Sequence, residues 1–269
     1  ETVNNLENEQ AVEMKKPENV YSLLQVDPIE LEMGYGLIPL VDTTQGGDLL
    51  ERVIMIRRQC AIELGIVIPP IRIRDNMQLP PNNYVLKLRG VPLAQGEIML
   101  NQYLAMGGEG ELVGIPTKEP AFGLPAKWIS ASLREEAESS GYTVVDPPSV
   151  LATHITEFLK NNAAEILSRQ DVKSLLDNLK KEYSAVVEEV VPNLLSLAEV
   201  HKVLGNLLQE RVPIRDLVSI MEALGDWAPI TKDPDLLTEY VRQKIARQIT
   251  QLYKDDDGKI YCFTVEPQI

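Results

Sequence analysis

The two histidines of the chain, His154 and His201, are the side chains best suited to acid–base or metal chemistry near neutral pH. Each lies beside the apolar stripe of a predicted helix. Neither belongs to a His-x3-His or Cys-x2-Cys motif, which are spacings that bring metal ligands together. A structural role, at the edge of a core or at a helix cap, is therefore favoured over metal binding or general-base catalysis for both.

The two cysteines, Cys60 and Cys262, lie far apart in sequence. A nucleophilic cysteine is favoured by a helix N-terminus or a neighbouring cation, together with a histidine. Cys60 falls in the later part of a predicted helix, although Arg57 and Arg58 are close, and Cys262 falls in a predicted strand. We expect two buried, reduced thiols, and a disulfide between them stays open.

Three further motifs resemble ligand sites but lack essential parts. The glycines from Gly107 to Gly110 match neither the Gly-x4-Gly-Lys-Ser/Thr nor the Gly-x-Gly-x-x-Gly phosphate motif. The run 255–258 begins like a calcium loop, but Thr264 stands where the twelfth-position glutamate belongs. The pair Glu135–Glu136 is typical of an exposed helix face. The sequence therefore predicts no metal, no cofactor, no small-molecule substrate and no enzymatic activity.

One proline-rich segment is chemically unusual without looking catalytic. Residues 120–129 contain Phe122, one of three phenylalanines, and Trp128, one of two tryptophans. Residue types alone favour the interpretation that both rings fill a joint between subdomains. The alternative is an apolar docking surface at that joint, because aromatic anchors are enriched both in cores and at interfaces.

The composition fits a soluble body that binds proteins or small molecules, but a negative charge that only keeps the surface soluble is the stronger interpretation. The chain has 269 residues, 44% of them hydrophobic, with a net charge of −14. That charge argues against nucleic acid, whose phosphates require a basic surface, and against an anionic membrane surface. No apolar run reaches the ~18–20 residues of a membrane span, and no signal peptide is apparent. Because the sequence begins with Glu1, we expect it to be processed or part of something longer.

The stretch before residue 101 predicts a mixed α/β unit. A strand over Leu37–Val41 follows a glycine-tyrosine-glycine turn, and residues 71–74 and 84–89 alternate as two further strands. Between them, Asp48 can cap a helix with apolar residues at a helical period, which Gly65 ends. Strands mixed with a long helix indicate an α+β or α/β arrangement.

The rest of the chain predicts a small inserted unit followed by helices. Between residues 101 and 146, one helix (130–139) and one strand (142–145) stand among recurring glycines and prolines. Helices then follow. Their predicted starts are a cap at Ser149, a capping box at Ser196–Glu199, Pro213 for a helix that Gly225 closes, and Asp233–Pro234 for the last helix. A final strand over 259–265 lacks a partner, which suggests that the chain stops inside a further domain.

The predicted fold class is α+β with several subdomains. A mixed α/β first subdomain carries an inserted, ferredoxin-like α+β subdomain, and an all-helical subdomain follows. The predicted bounds are a linker (1–19), the first subdomain (20–100 and 147–166), the insertion (101–146), the helical subdomain (167–246) and a truncated fourth subdomain (247–269).

Six segments, in order, resemble the FHIPEP family of bacterial type III export-gate proteins. They are DPIELEMGYGLIPLVD (27–42), IRDN (73–76), EPAFGLPAKWI (119–129), GYTVVDPPSVLATH (141–154), HKVLGNLLQERVPIRDL (201–217) and LYKDDDGKIYCFTVEP (252–267). The resemblance implies the cytoplasmic part of an integral protein of the bacterial inner membrane. It implies a nine-membered ring, and partners that are flagellar export chaperones with late substrates, the export ATPase complex and other export-gate proteins.

The resemblance also implies a docking site. Flagellar family members bind chaperones with an acid-Pro-x-Phe-Gly-Leu motif, a valine before the Asp turn and the threonine of an Ala-Thr-His run. The matching positions here are Glu119, Phe122, Leu124, Val145 and Thr153. The family acid is often Asp, so that Glu119 departs from the pattern. Gly34 resembles a family glycine tied to motion between subdomains.

Three alternatives stay open beside a flagellar docking platform. The first is the corresponding gate of a virulence secretion system. The second is an enzyme that uses the cleft near Phe122, with His154 or Glu119 as base. The third is a purely structural ring component, and burial of Phe122 separates it from a docking platform because a fully buried ring cannot anchor a partner.

Overall fold

The computed structural model describes residues 26–108 and 110–263. The predicted linker and the last residues of the predicted terminal strand therefore lie outside the described residues. In the rest, the chain forms two four-stranded sheets, and most of its helices follow the last strand. The strands are β1 (Ile29–Met33), β2 (Ile71–Asp75), β3 (Asn83–Leu88), β4 (Val91–Glu97), β5 (Gln102–Gly107), β6 (Ile115–Lys118), β7 (Pro125–Ser130) and β8 (Tyr142–Val145).

Ten α-helices accompany the two sheets in the described part of the chain. They are α1 (Leu49–Leu64), α2 (Arg134–Ser139), α3 (Pro147–Asn161), α4 (Ala163–Ile166), α5 (Arg169–Leu179), α6 (Ser184–Glu188), α7 (Leu197–Gln209), α8 (Leu217–Trp227), α9 (Pro234–Lys244) and α10 (Ala246–Tyr253).

The first sheet has the strand order β2-β1-β3-β4. Strands β1 and β2 are parallel and are joined by α1, whereas β1–β3 and β3–β4 are antiparallel. Alternate residues of β1 and β3 are fully buried, among them Leu31 and Leu86. These residues belong to a continuous aliphatic core that also includes α1, α3 and the helices after residue 166. The fold thus joins the first sheet and the helical part through one core.

The second sheet is antiparallel, with the order β6-β7-β5-β8. It carries one short α-helix, α2, whereas a complete ferredoxin-like βαββαβ unit has two. Ala105 and Ile129 face α2 in a small separate core, while Leu104 and Trp128 pack into the main core. Because strand residues alternate between faces, the sheet bridges the two cores.

Several local predictions are wrong in the part of the chain before residue 101. Residues Tyr35–Leu40 form a 3-10 helix rather than a strand, and the strand is the segment before Gly34, where apolar residues alternate with glutamates. Strand β4 was not predicted, because Pro92 and Gly96 interrupt its pattern. It is an edge strand, which tolerates a proline.

Helix starts are also placed differently from the prediction. Asp146, not Ser149, caps α3 by accepting a hydrogen bond from the Ser149 amide. Asp216, not Pro213, marks the start of α8. The helix runs to Trp227, so Gly225 lies inside it and does not close it. The cause is tertiary, because the Ile214 amide donates to the Leu64 carbonyl at the end of α1 (2.9 Å) and holds this segment out of the helix.

The C-terminal region also departs from the prediction. The last predicted helix is divided into α9 and α10 at Ile245. Residues 259–263 form no strand in the described part of the chain. Cys262 is exposed there rather than buried, whereas Cys60 is buried as predicted, and both thiols are free. Burial raises the pKa of the Cys60 thiol, which opposes formation of a nucleophilic thiolate.

Candidate functional site

The candidate site is the turn between β6 and β7, residues 119–124, here called the docking turn. It joins two antiparallel strands whose last paired residues are Lys118 and Pro125. Two apolar side chains project from it into solvent: the Phe122 side chain is 60% exposed and that of Leu124 is 49% exposed. An aromatic ring and a leucine thus form a small apolar protrusion at the tip of this hairpin.

Hydrogen bonds inside the docking turn all involve Glu119. Its amide donates to the Leu124 carbonyl (2.8 Å), and its carbonyl accepts from the Gly123 amide (2.9 Å). Its carboxylate accepts from the Ala121 amide (2.9 Å at Oε1) and from the Phe122 amide (2.6 Å at Oε2). Gly123 has a φ of 70°, a left-handed conformation that a glycine adopts without strain. The turn is therefore closed by its own backbone and one side chain.

The Glu119 side chain points inward, since the residue is only 3% exposed. It lies near two other buried polar groups, Tyr84 on β3 and His154 on α3. The Tyr84 hydroxyl and His154 Nδ1 are 2.5 Å apart, and their rings meet edge to face. Burial lowers the pKa of His154, and the negative charge of Glu119 opposes that shift. The histidine is thus favoured in its neutral form, bonded to tyrosine.

The other two predicted docking residues lie on neighbouring elements. Thr153 is exposed on α3, one residue before His154, and its hydroxyl donates to the Ser149 carbonyl of its own helix (2.9 Å). Val145 ends β8, is half-buried and pairs with Leu104 across the sheet. Thr153 thus adjoins His154 in α3, and Val145 packs against the main core.

The interpretation that both aromatic rings fill the joint is wrong for one of them. Trp128 is buried, at 2% exposure, and packs in the main core as that interpretation requires. Phe122 is exposed because it lies in the turn, whereas Trp128 lies in a strand with one face on the core. Residue type alone does not separate the two.

Gly34 sits where a side chain has no room. A Cβ there would lie 2.1 Å from the Pro80 carbonyl oxygen and 2.6 Å from that of Pro81. Its backbone angles are ordinary, with φ −65°. The glycine is therefore required by the close approach of two chain segments, which its amide joins by donating to the Asn83 carbonyl (2.8 Å).

The second histidine, His201, has a structural hydrogen-bond partner. His201 Nε2 is hydrogen-bonded to the Leu167 carbonyl at 2.8 Å.

Within the described ranges, no group of three or more His, Cys, Asp or Glu is arranged to hold a metal ion. A cleft of about 600 Å³ opens beside the docking turn, bordered by Leu124, Lys127 and Tyr142, but Phe122 does not line it.

Sequence reasoning missed Tyr84 as part of this region. The sequence pattern predicts Tyr84 as an ordinary core residue of a strand. Its polar role comes from the hydrogen bond with His154, which lies 70 positions away. The fixed alternation of β3, which points Tyr84 and Leu86 the same way, was the one available signal.

Comparison with known proteins identifies the family. The sequence model described as FHIPEP family matches residues 1–269. The chain belongs to the FHIPEP family. This confirms the resemblance seen in the six sequence segments.

Curated FHIPEP relatives are flagellar proteins. The flagellar biosynthesis protein FlhA of Bacillus subtilis is 56% identical over 260 residues, covering 96% of this chain and 38% of that protein. FlhA of Borreliella burgdorferi is 48% identical over 268 residues, covering 97% of this chain and 38% of its own length. The chain thus spans about two fifths of the FHIPEP relatives that it matches.

Solved FHIPEP-like structures confirm the predicted mixed fold with two sheets and many helices. The Chlamydia pneumoniae CdsV protein is 25% identical with a TM-score of 0.78, covering 91% of this chain and 71% of CdsV. A nonameric EPEC SctV-C is 21% identical with a TM-score of 0.68, covering 87% of this chain and 69% of that one, and it supports the fold alone. In the described part of this FHIPEP chain, no helix has the length and apolarity to cross a membrane.

Proposed function

We propose that this chain is a docking platform of a bacterial flagellar type III protein export gate. In this role it binds export chaperones that carry late substrates and does no bond chemistry of its own. The observation that supports this proposal most is the structure of the docking turn. Phe122 and Leu124 are exposed there, and hydrogen bonds within the turn fix its backbone. Such a turn presents apolar area without having to order itself on binding, which lowers the entropic cost of association.

The contact surface in this proposal comprises Phe122, Leu124, Thr153 and Val145. The two apolar side chains of the turn supply most of the affinity, since full burial of each stabilises a complex by roughly 1.5–3 kcal/mol. Thr153 adds an exposed hydroxyl, and Val145 forms the half-buried floor. An amphipathic helix or an extended segment of a chaperone fits such a shallow apolar surface.

Family relatives support the wider setting of the proposal. We place the chain at the cytoplasmic face of the inner membrane, as part of a longer membrane protein. The proposal includes assembly into a nine-membered ring, and the export ATPase complex and other gate proteins complete the proposed partners. The 56% identity to a flagellar protein favours a flagellar over a virulence system.

The two alternatives from other classes have less support. An enzyme needs an available base, but both Glu119 oxygens accept backbone hydrogen bonds and His154 Nδ1 is bonded to Tyr84. A purely structural component would bury Phe122, whose ring is mostly exposed.

Calorimetric titration with the Bacillus subtilis flagellar export chaperone in complex with its cargo tests the proposal. Phe122→Ala should weaken binding by about 30-fold, the effect of losing a central aromatic anchor worth roughly 2 kcal/mol. Leu124→Ala should weaken it less. Leu236→Ala is the matched control, because Leu236 lies on α9 and is 50% exposed, as Leu124 is 49% exposed.

The outcomes separate the possibilities. Loss of binding in Phe122→Ala with unchanged binding in Leu236→Ala supports docking at the turn. Equal binding by all variants would remove the docking turn from the proposal. No binding by the parent chain, whether as a monomer or as an assembled ring, would overturn it for this chain.

A further inference from the structure

We infer that Glu119 is a positioning residue, which fixes the docking turn from within and makes no contact with the docked partner. The effect of Glu119 on partner binding rests on the proposed function. Its effect on the shape of the docking turn concerns the free protein and does not depend on that function. It assigns the acidic residue of the motif a different role from Phe122 and Leu124. The acid holds the turn, and the apolar side chains meet the partner.

The first argument is the use of the carboxylate. Its two oxygens accept from two successive backbone amides, those of Ala121 and Phe122, at 2.9 and 2.6 Å. A charged acceptor makes stronger hydrogen bonds than a neutral one, and the second bond falls directly on the residue that carries the exposed ring. The Phe122 backbone is therefore held by Glu119 itself.

The second argument is accessibility. Glu119 is 3% exposed, whereas Phe122, three residues on, is 60% exposed. A partner that covers the ring therefore meets little of the carboxylate. The residue is tied at four points, since its amide and carbonyl also bond Leu124 and Gly123. To reach a partner, the side chain would have to break the bonds that shape the turn.

The third argument is the surroundings of the buried charge. Glu119 lies near the Tyr84–His154 pair, and its charge acts on the pKa of both groups. His154 immediately follows Thr153 on α3. The buried side of the turn thus carries the Glu119 carboxylate, while its exposed side presents Phe122 and Leu124.

Amide hydrogen exchange measured by NMR in the free protein tests the structural part. In Glu119→Gln one carbonyl oxygen replaces two carboxylate oxygens and the charge is lost, so the Ala121 and Phe122 amides should exchange at least about tenfold faster. Glu119→Asp, which keeps the charge, should restore part of the protection. Asp42→Asn is the matched control, since the Asp42 carboxylate accepts from the Thr44 amide (2.9 Å) at a distant turn. It should release that amide alone.

A double-mutant cycle tests the consequence for binding, with the same Bacillus subtilis chaperone–cargo complex as probe. Glu119→Ala should weaken binding, and Phe122→Ala combined with Glu119→Ala should bind no more weakly than Phe122→Ala alone, because the acid acts through the ring. Unchanged exchange of the two amides in Glu119→Gln would overturn the inference. So would additive losses in the cycle, which indicate a separate contact.

The two experiments keep this inference apart from the proposed function. If the parent protein does not bind the complex, the proposed function fails, but the exchange rates of the free protein still decide whether Glu119 holds the turn. If exchange is unchanged while Phe122→Ala loses binding, docking stands and the positioning role falls.

Discussion

The carboxylate of Glu32 on β1 accepts a hydrogen bond from Asn76 Nδ2, at 2.7 Å, across 44 positions of sequence. Glu32 belongs to the opening family segment and Asn76 ends the IRDN segment. Lys87 of β3 forms an ion pair with the same carboxylate, whose side chain is only 15% exposed. Two motifs that carry the family resemblance are thus joined in one polar cluster at the end of the parallel pair β1–β2.

Replacement of Glu32 should lower stability in a pH-dependent manner. The bonds from Lys87 and Asn76 hold the pKa of Glu32 below its ordinary value of 4.5. Its contribution is therefore present above pH 4.5 and is lost as the pH falls through the lowered pKa. Urea unfolding of Glu32→Gln should show a loss of about 1 kcal/mol at pH 7 that shrinks below pH 4.5.

Glu51→Gln serves as the control for that measurement, because Glu51 is an exposed residue on α1. Its unfolding free energy should match that of the parent within about 0.5 kcal/mol. A loss in Glu32→Gln that stayed constant from pH 7 to pH 3.5 would contradict the role of the ionised carboxylate.

Truncation of two phenylalanines should separate docking from stability. Phe158 is 4% exposed on α3, so Phe158→Ala should cost about 3–5 kcal/mol of unfolding free energy through the cavity it leaves. Phe122→Ala should change the unfolding free energy by no more than about 0.5 kcal/mol, since the ring is already in solvent. Urea denaturation monitored by circular dichroism measures both. Similar losses in the two variants would show that the Phe122 ring is buried in solution.

A side chain at position 34 should strain the contact between Gly34 and the Pro80–Pro81 segment. In Gly34→Ala the new methyl group overlaps the carbonyl oxygens of Pro80 and Pro81, which are backbone atoms with little freedom to move. We expect a loss near the upper end of the roughly 1–3 kcal/mol that overpacking costs. Thermal unfolding of the variant beside its parent measures this.

Gly205→Ala serves as a comparison in which the unfolding free energy should rise instead of falling. Gly205 lies inside α7 with open space around it, so alanine there should stabilise the helix by roughly 0.5–1 kcal/mol. If Gly34→Ala were as stable as the parent, the contact between residue 34 and the Pro80–Pro81 segment would be looser than the structure has it.

His154 should make stability fall in mild acid. Burial lowers the pKa of its imidazole below the ordinary 6.5, so the unfolded chain takes up the proton more readily than the folded one. Above pH 6.5 the imidazole is neutral in both states, so its titration does not lower the unfolding free energy. The unfolding free energy falls as the pH drops below 6.5 toward the lowered pKa. Unfolding free energies of the parent and His154→Gln should converge between pH 7 and pH 5. His201 is unchanged in both proteins, so a parallel course of the two curves would count against this assignment.

Features that depend on local periodicity and on linked motifs could be predicted from the sequence. The α1 pattern ended by Gly65, the Ser196–Glu199 capping box and the alternation in β2 and β3 all predict their elements, because each signal lies within a few residues. The six ordered segments identified the FHIPEP family. They also implied the candidate docking residues, whose role in binding stays a prediction.

Contacts between distant segments fix which side chains are exposed, which are buried and which groups meet. Phe122 and Trp128 lie six positions apart in one proline-rich segment, yet one stands in solvent and the other is in the core. The inward carboxylate of Glu119 depends on the closure of the hairpin between β6 and β7. Such outcomes arise from contacts between distant segments, and a periodic pattern carries no information about them.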